Sequence, residues 1–240
     1  MLKLMVAMLT LAVSTSLFGA APTTQPGVQI DISQLLNARV VITAKDGTPQ
    51  FADHSLDNAP KSTLITESGA KATQAEKIVP LIDSGFFPAN DRHPDVQLPY
   101  GKAGDGPQVY RSKPSAKTIE VPIPEGRYEQ MQLFLISSMG ATPLAATLKY
   151  ADGSSDERTL TIPDWFLKPK PDDAGSFALA ENFGKVDMKG KTVEHDHHYI
   201  RGFNLDPDKS KMLKQMEITK KPSKTVLTLF GITGTRAAAQ

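Results

Sequence analysis

The only tryptophan of the chain, Trp165, directly follows Asp164. Together these side chains could bind a sugar, because the C–H face of a pyranose ring packs on a flat indole while carboxylates and amides hydrogen-bond its hydroxyls. Tyr199 and Arg201 would complete this site if the loops that carry them converge. A structural interpretation stands beside it: a buried tryptophan is a common part of a β-sandwich core, and Asp164 would then cap the following turn. The sequence favours the structural interpretation and leaves sugar binding open.

Most histidines of the chain lie in the stretch EHDHH, which begins at Glu194. On a regular strand His195 and His197 share one face, and two imidazoles at that spacing can bind Zn²⁺, Cu²⁺ or Fe²⁺. A metal-dependent jelly-roll enzyme is therefore one hypothesis for this chain. Cupin jelly rolls that use such a pair place a glutamate shortly after it, where this sequence has Arg201 and Gly202. Alternatively, these residues form a polar loop that leads into the following strand, and no metal is bound.

Few other residues of the sequence are arranged for chemistry. The chain has no cysteine, which excludes thiol chemistry, disulfides and lipid attachment through a cysteine. It has no G-x-S-x-G elbow, phosphate-binding loop, H-E-x-x-H motif or dinucleotide fingerprint. Carboxylates for glycoside hydrolysis could come from the acidic residues of the predicted hairpin, Asp152, Asp156, Glu157 and Asp164, but exposed acids at a turn more often serve solvation and turn formation. We therefore expect no catalytic activity and no cofactor.

The N-terminal segment has the pattern of a secretory signal peptide over residues 1–21. Lys3 supplies a short positive start, the apolar run 4–13 is too short to span a bilayer, and small residues follow at 19–21. We expect cleavage after Ala21, a flexible lead-in over 22–27, and a mature protein that is secreted or periplasmic.

The charge of the chain is balanced. Lys and Arg number 27 and Asp and Glu number 26, so the formal net charge is +1 and falls to about zero once Lys3 is removed. Nucleic acids and anionic lipid surfaces both require a basic face, so we expect neither as a partner. No other apolar run of the sequence is long enough for a membrane span either.

Short extended segments separated by turn residues dominate the sequence. The chain has 18 Pro and 17 Gly, and this frequent interruption of short extended segments by turn residues predicts an all-β jelly-roll sandwich of two antiparallel sheets with little helix. The only predicted helix covers 69–78, and one domain is expected over 28–235 with a tail over 236–240. The predicted strands cover 28–32, 39–43, 108–111, 118–123, 128–137, 144–150, 158–162, 197–205, 212–219 and 225–233. The strands at 144–150 and 158–162 should pair as a hairpin around the Asp152-Gly153 turn.

Two stretches have the composition of long loops, residues 84–106 and 168–192. Loops of this length tend to bind ligands or to be poorly ordered. The first loop contains the chemically interesting residues Asp91, Arg92, His93, Tyr100 and Gly101. These residues could line a cleft or belong to an exposed surface loop without a binding role, and their spacing leaves both interpretations open.

The order of several short motifs resembles the galactose-binding-domain-like β-sandwiches of secreted bacterial proteins. The motifs are VQIDISQLLNARVV near the start, LKYADGS in the predicted hairpin, TIPDWF after it, and LTLFGITG at the end. The resemblance covers residues 28–234 and implies a jelly-roll sandwich. Similar modules are appended to glycoside hydrolases, whereas no catalytic domain is attached in this sequence.

The resemblance implies a non-catalytic module that binds a carbohydrate, such as a glycan of the cell envelope. The ligand-binding set remains the one that the residues suggest, Trp165, Asp164, Tyr199 and Arg201 at loops near one end of the sandwich. The resemblance itself favours a structural role for Trp165, because the DW element belongs to the framework hairpin in those domains. It also allows a structural calcium ion, at a position that the sequence does not identify. The alternative is a structural or protein-interaction domain of the cell envelope that has no small ligand.

Overall fold

The computed structural model describes residues 27–238, except 114, 116 and 171–174. The predicted signal peptide over 1–21 and nearly all of the lead-in over 22–27 lie outside the described residues. Strands form most of the described chain, and no helix there is long and apolar enough to cross a bilayer. The strands are β1 (Gly27–Gln29), β2 (Val41–Lys45), β3 (Thr48–Gln50), β4 (Leu64–Ile65), β5 (Phe86–Phe87), β6 (Val96–Gln97), β7 (Tyr110–Arg111), β8 (Lys117–Gly126), β9 (Tyr128–Ser138), β10 (Thr142–Tyr150), β11 (Ser155–Ile162), β12 (Ser176–Val186), β13 (Thr192–Leu205), β14 (Leu213–Lys220) and β15 (Val226–Arg236). The helices are α1 (Glu67–Thr73) and the 3-10 turns Ser33–Leu35 and Pro99–Gly101.

The long strands form two antiparallel sheets that pack face to face around a shared core. The first sheet has the order β1-β15-β9-β13-β12, with β7 also paired to β15, and the second has the order β11-β10-β14-β8. Apart from β12, which is added at an edge, this is the strand order of a jelly roll, so the predicted fold class is confirmed. The predicted hairpin is also present, because β10 and β11 pair along their whole length.

The space between the sheets is filled by one apolar cluster. In β8, Ile119, Val121 and Ile123 are buried while the residues between them are exposed, which is the period-two pattern of a strand with one solvated face. From the opposite sheet, Leu133 and Leu135 of β9 join the same cluster. The alternation in the sequence therefore positions the two sheets.

The outer face of the first sheet is buried as well. Phe134 and Ile136 of β9 belong to a second apolar cluster, which also contains Trp165 and Phe183. The segment 38–109 supplies the other side of this cluster and so forms a third layer over the sheet. The sequence predicts that β9 is buried on both faces, and this is confirmed, but it does not predict which segment covers it. Without this layer the sheet would expose a large apolar surface.

The beginning and the end of the third layer are joined by the side-chain amide of Gln108. Its Oε1 accepts hydrogen bonds from the N–H groups of Val40 at 3.1 Å and Val41 at 2.8 Å, and its Nε2 donates to the carbonyl of Val41 at 3.0 Å. Gln108 is fully buried, so these bonds satisfy main-chain groups that water does not reach. The amide therefore takes the place of a neighbouring strand at the start of β2.

Three predictions about local structure need correction: the bounds of the helix, which is present, and the loops predicted over 84–106 and 168–192, the first of which contains the short strands β5 and β6. The helix predicted over 69–78 begins earlier, where Thr66 Oγ1 accepts from the N–H of Gly69, and ends earlier, where Gln74 has a left-handed φ of 57°. The loop predicted over 168–192 contains the strand β12. The register between β12 and β13 shifts repeatedly and Asn182 has a φ of 56°, so the sequence of β12 lacks the regular alternation that marks a strand.

Candidate functional site

Trp165 lies in the segment between β11 and β12 and is fixed by its main chain and its ring. Its N–H donates to the carbonyl of Ser137 at 2.9 Å, and its carbonyl accepts from the N–H of Tyr199 at 2.9 Å. The indole packs on the His198 imidazole at a centroid distance of 4.1 Å and on Phe183 at 6.2 Å. The residue is only 5% exposed, so the indole fills the core and offers no free face to a sugar ring.

Asp164 fastens a neighbouring turn to the Trp165 segment. Its carboxylate accepts a hydrogen bond from the N–H of Gly140, which follows Met139 with its φ of 66°. Burial raises the pKa of Asp164, although hydrogen bonds from the N–H groups of Gly140, Phe166 and Trp165 oppose that shift. These contacts agree with the capping interpretation of Asp164 and leave its carboxylate engaged by the main chain.

The other two predicted ligand residues lie on β13. Tyr199 is buried, and its hydroxyl donates to Asn182 Oδ1 at 3.0 Å. Arg201 is 2% exposed, donates through Nη2 to the carbonyl of Leu167, and lines a cleft. The structure therefore does not bring the predicted set together as a sugar platform: Trp165, Asp164 and Tyr199 support the framework, and Arg201 reaches the wall of a cavity.

The two histidines predicted as metal ligands are exposed at the start of β13. His195 Nδ1 is within 2.5 Å of the carbonyl of Lys77, and His197 contacts Asp196. His197 has a φ of 76°, which interrupts the regular alternation on which their shared face depends. Among the described residues, no group of three or more His, Asp or Glu side chains is arranged to hold a metal ion. The metal site at His195 and His197 therefore stays a prediction, and the described residues supply no third ligand to it.

The neighbouring His198, which the sequence does not single out, is the buried member of this stretch. Its Nδ1 lies 3.2 Å from the carbonyl of Phe183, and its Nε2 lies 3.3 Å from Glu194 Oε2. Burial lowers the pKa of His198, and the charge of Lys185 adds to this effect while Glu194 opposes it. The buried imidazole thus packs on the indole of Trp165 inside the core.

An open cleft of about 1250 Å³ lies beside Arg201. We call it the large cleft; it is bounded by residues 163–170, the start of β12, the adjoining ends of β9 and β13, and the turn at 91–92. Its larger lining side chains are Asp91, Arg92, Gln130, Pro163, Leu167, Lys168, Pro169, Lys170, Phe177, Glu181, Arg201 and Asn204. They combine cations, carboxylates, amides and apolar groups, which is the mixture found in sites for polar small molecules.

The wall of the large cleft is held by a buried amide beneath it. Gln132 Nε2 donates to Asn204 Oδ1 at 2.9 Å and to the carbonyl of Arg92 at 2.7 Å. His93 stacks on Phe177 with ring centroids 5.6 Å apart and an interplanar angle of 15°. The turn at 91–92, which the sequence leaves open as cleft or surface excursion, is therefore tied to the first sheet and lines the cleft.

Several cleft groups are available to a ligand. In the described part of the chain, the side chains of Arg92, Lys168, Asp91 and Glu181 form no ion pair, although all four line the cleft. Leu167, at the same wall, is 47% exposed. Charged groups that no protein partner engages can hydrogen-bond hydroxyls, and an exposed aliphatic side chain can contact C–H groups.

The exposed aromatic residue of this region is Phe166, which is 56% exposed. It stands one residue after the buried Trp165, so the sequence motif DWF contains both a core residue and a surface residue. The two aromatic residues lie in a turn, in which the N–H of Leu167 donates to the carbonyl of Asp164 at 3.0 Å. Only their burial distinguishes which of the two faces solvent.

Comparisons with known proteins place few constraints on this site. No protein-family model matches the chain, and no curated protein matches it. Eight solved chains are similar to it. One is an exo-beta-agarase, at 8% identity and a TM-score of 0.30, covering 57% of this chain and 22% of that one. Another is PfGH50B, at 9% identity and a TM-score of 0.30, covering 55% of this chain and 21% of that one. This chain thus spans about a fifth of the length of these structures.

Proposed function

We propose that the protein is a non-catalytic carbohydrate-binding protein, secreted or periplasmic, that binds a glycan in the large cleft. The observation that carries this proposal is the cleft itself: about 1250 Å³ of open space on the jelly roll, lined by side chains suited to hydroxyl groups. Its volume exceeds that of ordinary small-molecule pockets, which favours several linked sugar units over one. A cell-envelope glycan is one source of such a ligand.

In this proposal Arg201 contacts the ligand, and the other predicted residues position the wall. Trp165 anchors the segment 163–170 in the core, and Arg201 donates to the carbonyl of Leu167 within that segment. Asp164 fastens the same segment to Gly140, and the N–H of Tyr199 in β13 donates a hydrogen bond to the carbonyl of Trp165. Loss of any of these framework contacts should displace the segment 163–170 and so weaken binding of the glycan in the large cleft.

The experiment is binding of the mature protein to a panel of neutral and acidic polysaccharides by affinity electrophoresis and calorimetry. The double variant Arg92→Ala with Glu181→Ala removes two exposed cleft side chains, and we expect it to lose at least tenfold in affinity. Lys214→Ala is the matched control, because Lys214 is exposed on the second sheet, away from the cleft. A folded protein that binds no glycan would overturn the proposal.

The same polysaccharides test the absence of catalysis. Release of reducing ends should stay at the level of the buffer during long incubation. Hydrolysis that disappears in Glu181→Gln would contradict a purely binding role and make Glu181 a catalytic acid.

A second candidate function is a structural or protein-interaction domain of the cell envelope. It is favoured by the exposed apolar side chains of Met139, Phe166 and Leu167, on two turns that the bond between Asp164 and Gly140 joins. Under this alternative, Phe166→Ala would impair association with a protein partner and the cleft variants would not.

A further inference from the structure

The large cleft carries charges of both signs that are not neutralised within the described chain. Arg92 and Lys168 supply cations, and Asp91 and Glu181 supply carboxylates. These side chains pair neither with one another nor with any other described side chain. All four residues are exposed, so water solvates their charges in the free protein. Opposite charges that share a cleft without pairing are held apart, and each of them is available to a ligand.

The turn that carries Asp91 and Arg92 is fixed by its main chain. The N–H of Arg92 donates to Asn90 Oδ1 at 2.8 Å, and the N–H of Asn90 donates to the carbonyl of His93 at 2.9 Å. An asparagine that accepts from the N–H two residues later forms an Asx turn, which does not use the side chains of the intervening residues. The carboxylate of Asp91 and the guanidinium of Arg92 are therefore left to solvent at the first wall of the cleft.

Glu181 lies at an irregularity of β12, on a second wall. The register between β12 and β13 shifts between Ala180 and Phe183, where β12 has one residue more than its partner strand. An extra residue of this kind changes the direction in which neighbouring side chains point. The next residue, Asn182, has a φ of 56°, and its Oδ1 accepts from the hydroxyl of Tyr199 at 3.0 Å. The irregularity that disrupts the strand pattern of β12 thus places a carboxylate at the cleft.

Lys168 lies on a third wall, which is the segment 163–170. The preceding residue is held at both of its main-chain groups. The carbonyl of Leu167 accepts from Arg201 Nη2, and its N–H donates to the carbonyl of Asp164 at 3.0 Å. The three walls are therefore fixed independently, and they present both signs of charge, a carboxylate and a cation in turn.

We infer that the ligand of the large cleft is a zwitterionic glycan, one that carries both ammonium and carboxylate groups. This inference rests on the function proposed for the cleft and names the class of its ligand. A ligand that covers an exposed charge displaces its water, and an opposite charge compensates for this loss better than a neutral hydroxyl does. A purely anionic glycan would bring like charges to Asp91 and Glu181, and a purely cationic one would bring them to Arg92 and Lys168.

The test compares four oligosaccharides that share one β-1,4-linked glucosamine backbone and one length. The neutral form is N-acetylated, the cationic form has free amines, the anionic form is N-acetylated and O-carboxymethylated, and the zwitterionic form is O-carboxymethylated with free amines. Their affinities for the mature protein are measured by calorimetry in low salt at about pH 6, where amines and carboxylates of the ligands are largely charged. The zwitterionic form should bind about threefold to tenfold more tightly than the neutral form.

Removal of a charge from the protein should match removal of its counterpart from the ligand. Glu181→Gln should weaken binding of the zwitterionic form about twofold to fivefold, but not binding of the anionic form, which has no ammonium group. Arg92→Gln should weaken binding of the zwitterionic form to a similar extent, but not binding of the cationic form, which has no carboxylate. Glu120→Gln and Lys214→Gln are the matched controls, because both residues are exposed on the second sheet, and all four affinities should be unchanged in them.

The outcomes separate the ligand class from the proposed function. Equal affinity for the neutral and zwitterionic forms overturns the inference, and so does tightest binding of the anionic or the cationic form. A preference for the zwitterionic form that persists in both Glu181→Gln and Arg92→Gln overturns it as well. If the protein binds a polysaccharide of the panel but shows no preference in the matched series, carbohydrate binding stands and the ligand class is wrong. If it binds neither the panel nor the series, both proposals fail.

Discussion

Replacing Trp165 with alanine tests whether the indole is a core residue. The side chain is 5% exposed and contacts His198 and Phe183, so the substitution removes a large apolar group and leaves a cavity in the second cluster. Substitutions of buried tryptophan or phenylalanine by alanine cost about 3–5 kcal/mol. In a domain of this size each kcal/mol lowers the melting temperature by about 2–4 °C, which gives a decrease of about 6–20 °C.

The assay is urea denaturation followed by circular dichroism, with calorimetry for the melting temperature. Phe166→Ala is the control, because it removes the adjacent aromatic group, which is 56% exposed, and should change stability by about 0.5 kcal/mol or less. If Trp165→Ala retained wild-type stability and lost glycan binding, the indole would be a ligand platform, and the core assignment would be refuted.

The remaining predictions concern the third layer, a buried titration and the cleft wall. Gln108→Leu should destabilise the protein by about 2–5 kcal/mol in urea denaturation, because it leaves main-chain groups such as the Val41 N–H unsatisfied. Burial lowers the pKa of His198 from 6.5, so the unfolded chain binds a proton at this residue more readily than the folded protein does. The free energy of unfolding should therefore fall as the pH decreases below about 6.5. In urea midpoints measured from about pH 7.5 to 5.5, His198→Gln should show a smaller dependence on pH. Gly202→Ala would place a Cβ atom 2.2 Å from Phe177 Cζ, so we expect a loss of about 1–3 kcal/mol by thermal melting and weaker binding in the cleft.

The jelly roll could be predicted because most long strands carry regular local signals. Ile119, Val121 and Ile123 alternate with exposed residues, and the Asp152-Gly153 turn marks the hairpin of β10 and β11. β12 could not be predicted in this way, because its bulges and the left-handed Asn182 disrupt the alternation. The third layer could not be predicted either, since the segment that covers β9 is selected by contacts between residues far apart in sequence.

The candidate site was less accessible to sequence reasoning than the fold. An aromatic residue beside an aspartate is compatible with both a binding platform and a core, and only burial separates Trp165 from the exposed Phe166. Arg201 was identified from its type, but its place at the large cleft depends on the segment 163–170, which Trp165 anchors. The turn at Asp91 and Arg92 reaches the same cleft through the long-range hydrogen bonds of Gln132, which no local pattern indicates.

The position of β15 has a consequence for how the chain acquires its structure. This strand lies between β1 and β9, and among the described strands β1 pairs with β15 alone, with Gly27 opposite Thr235. Whether the ribosome or an export channel delivers the polypeptide from its N-terminus, the residues up to and including β15 must be released before the central sheet can close. The chain should therefore fold late and slowly, and need protection from association with its neighbours until β15 is available for pairing.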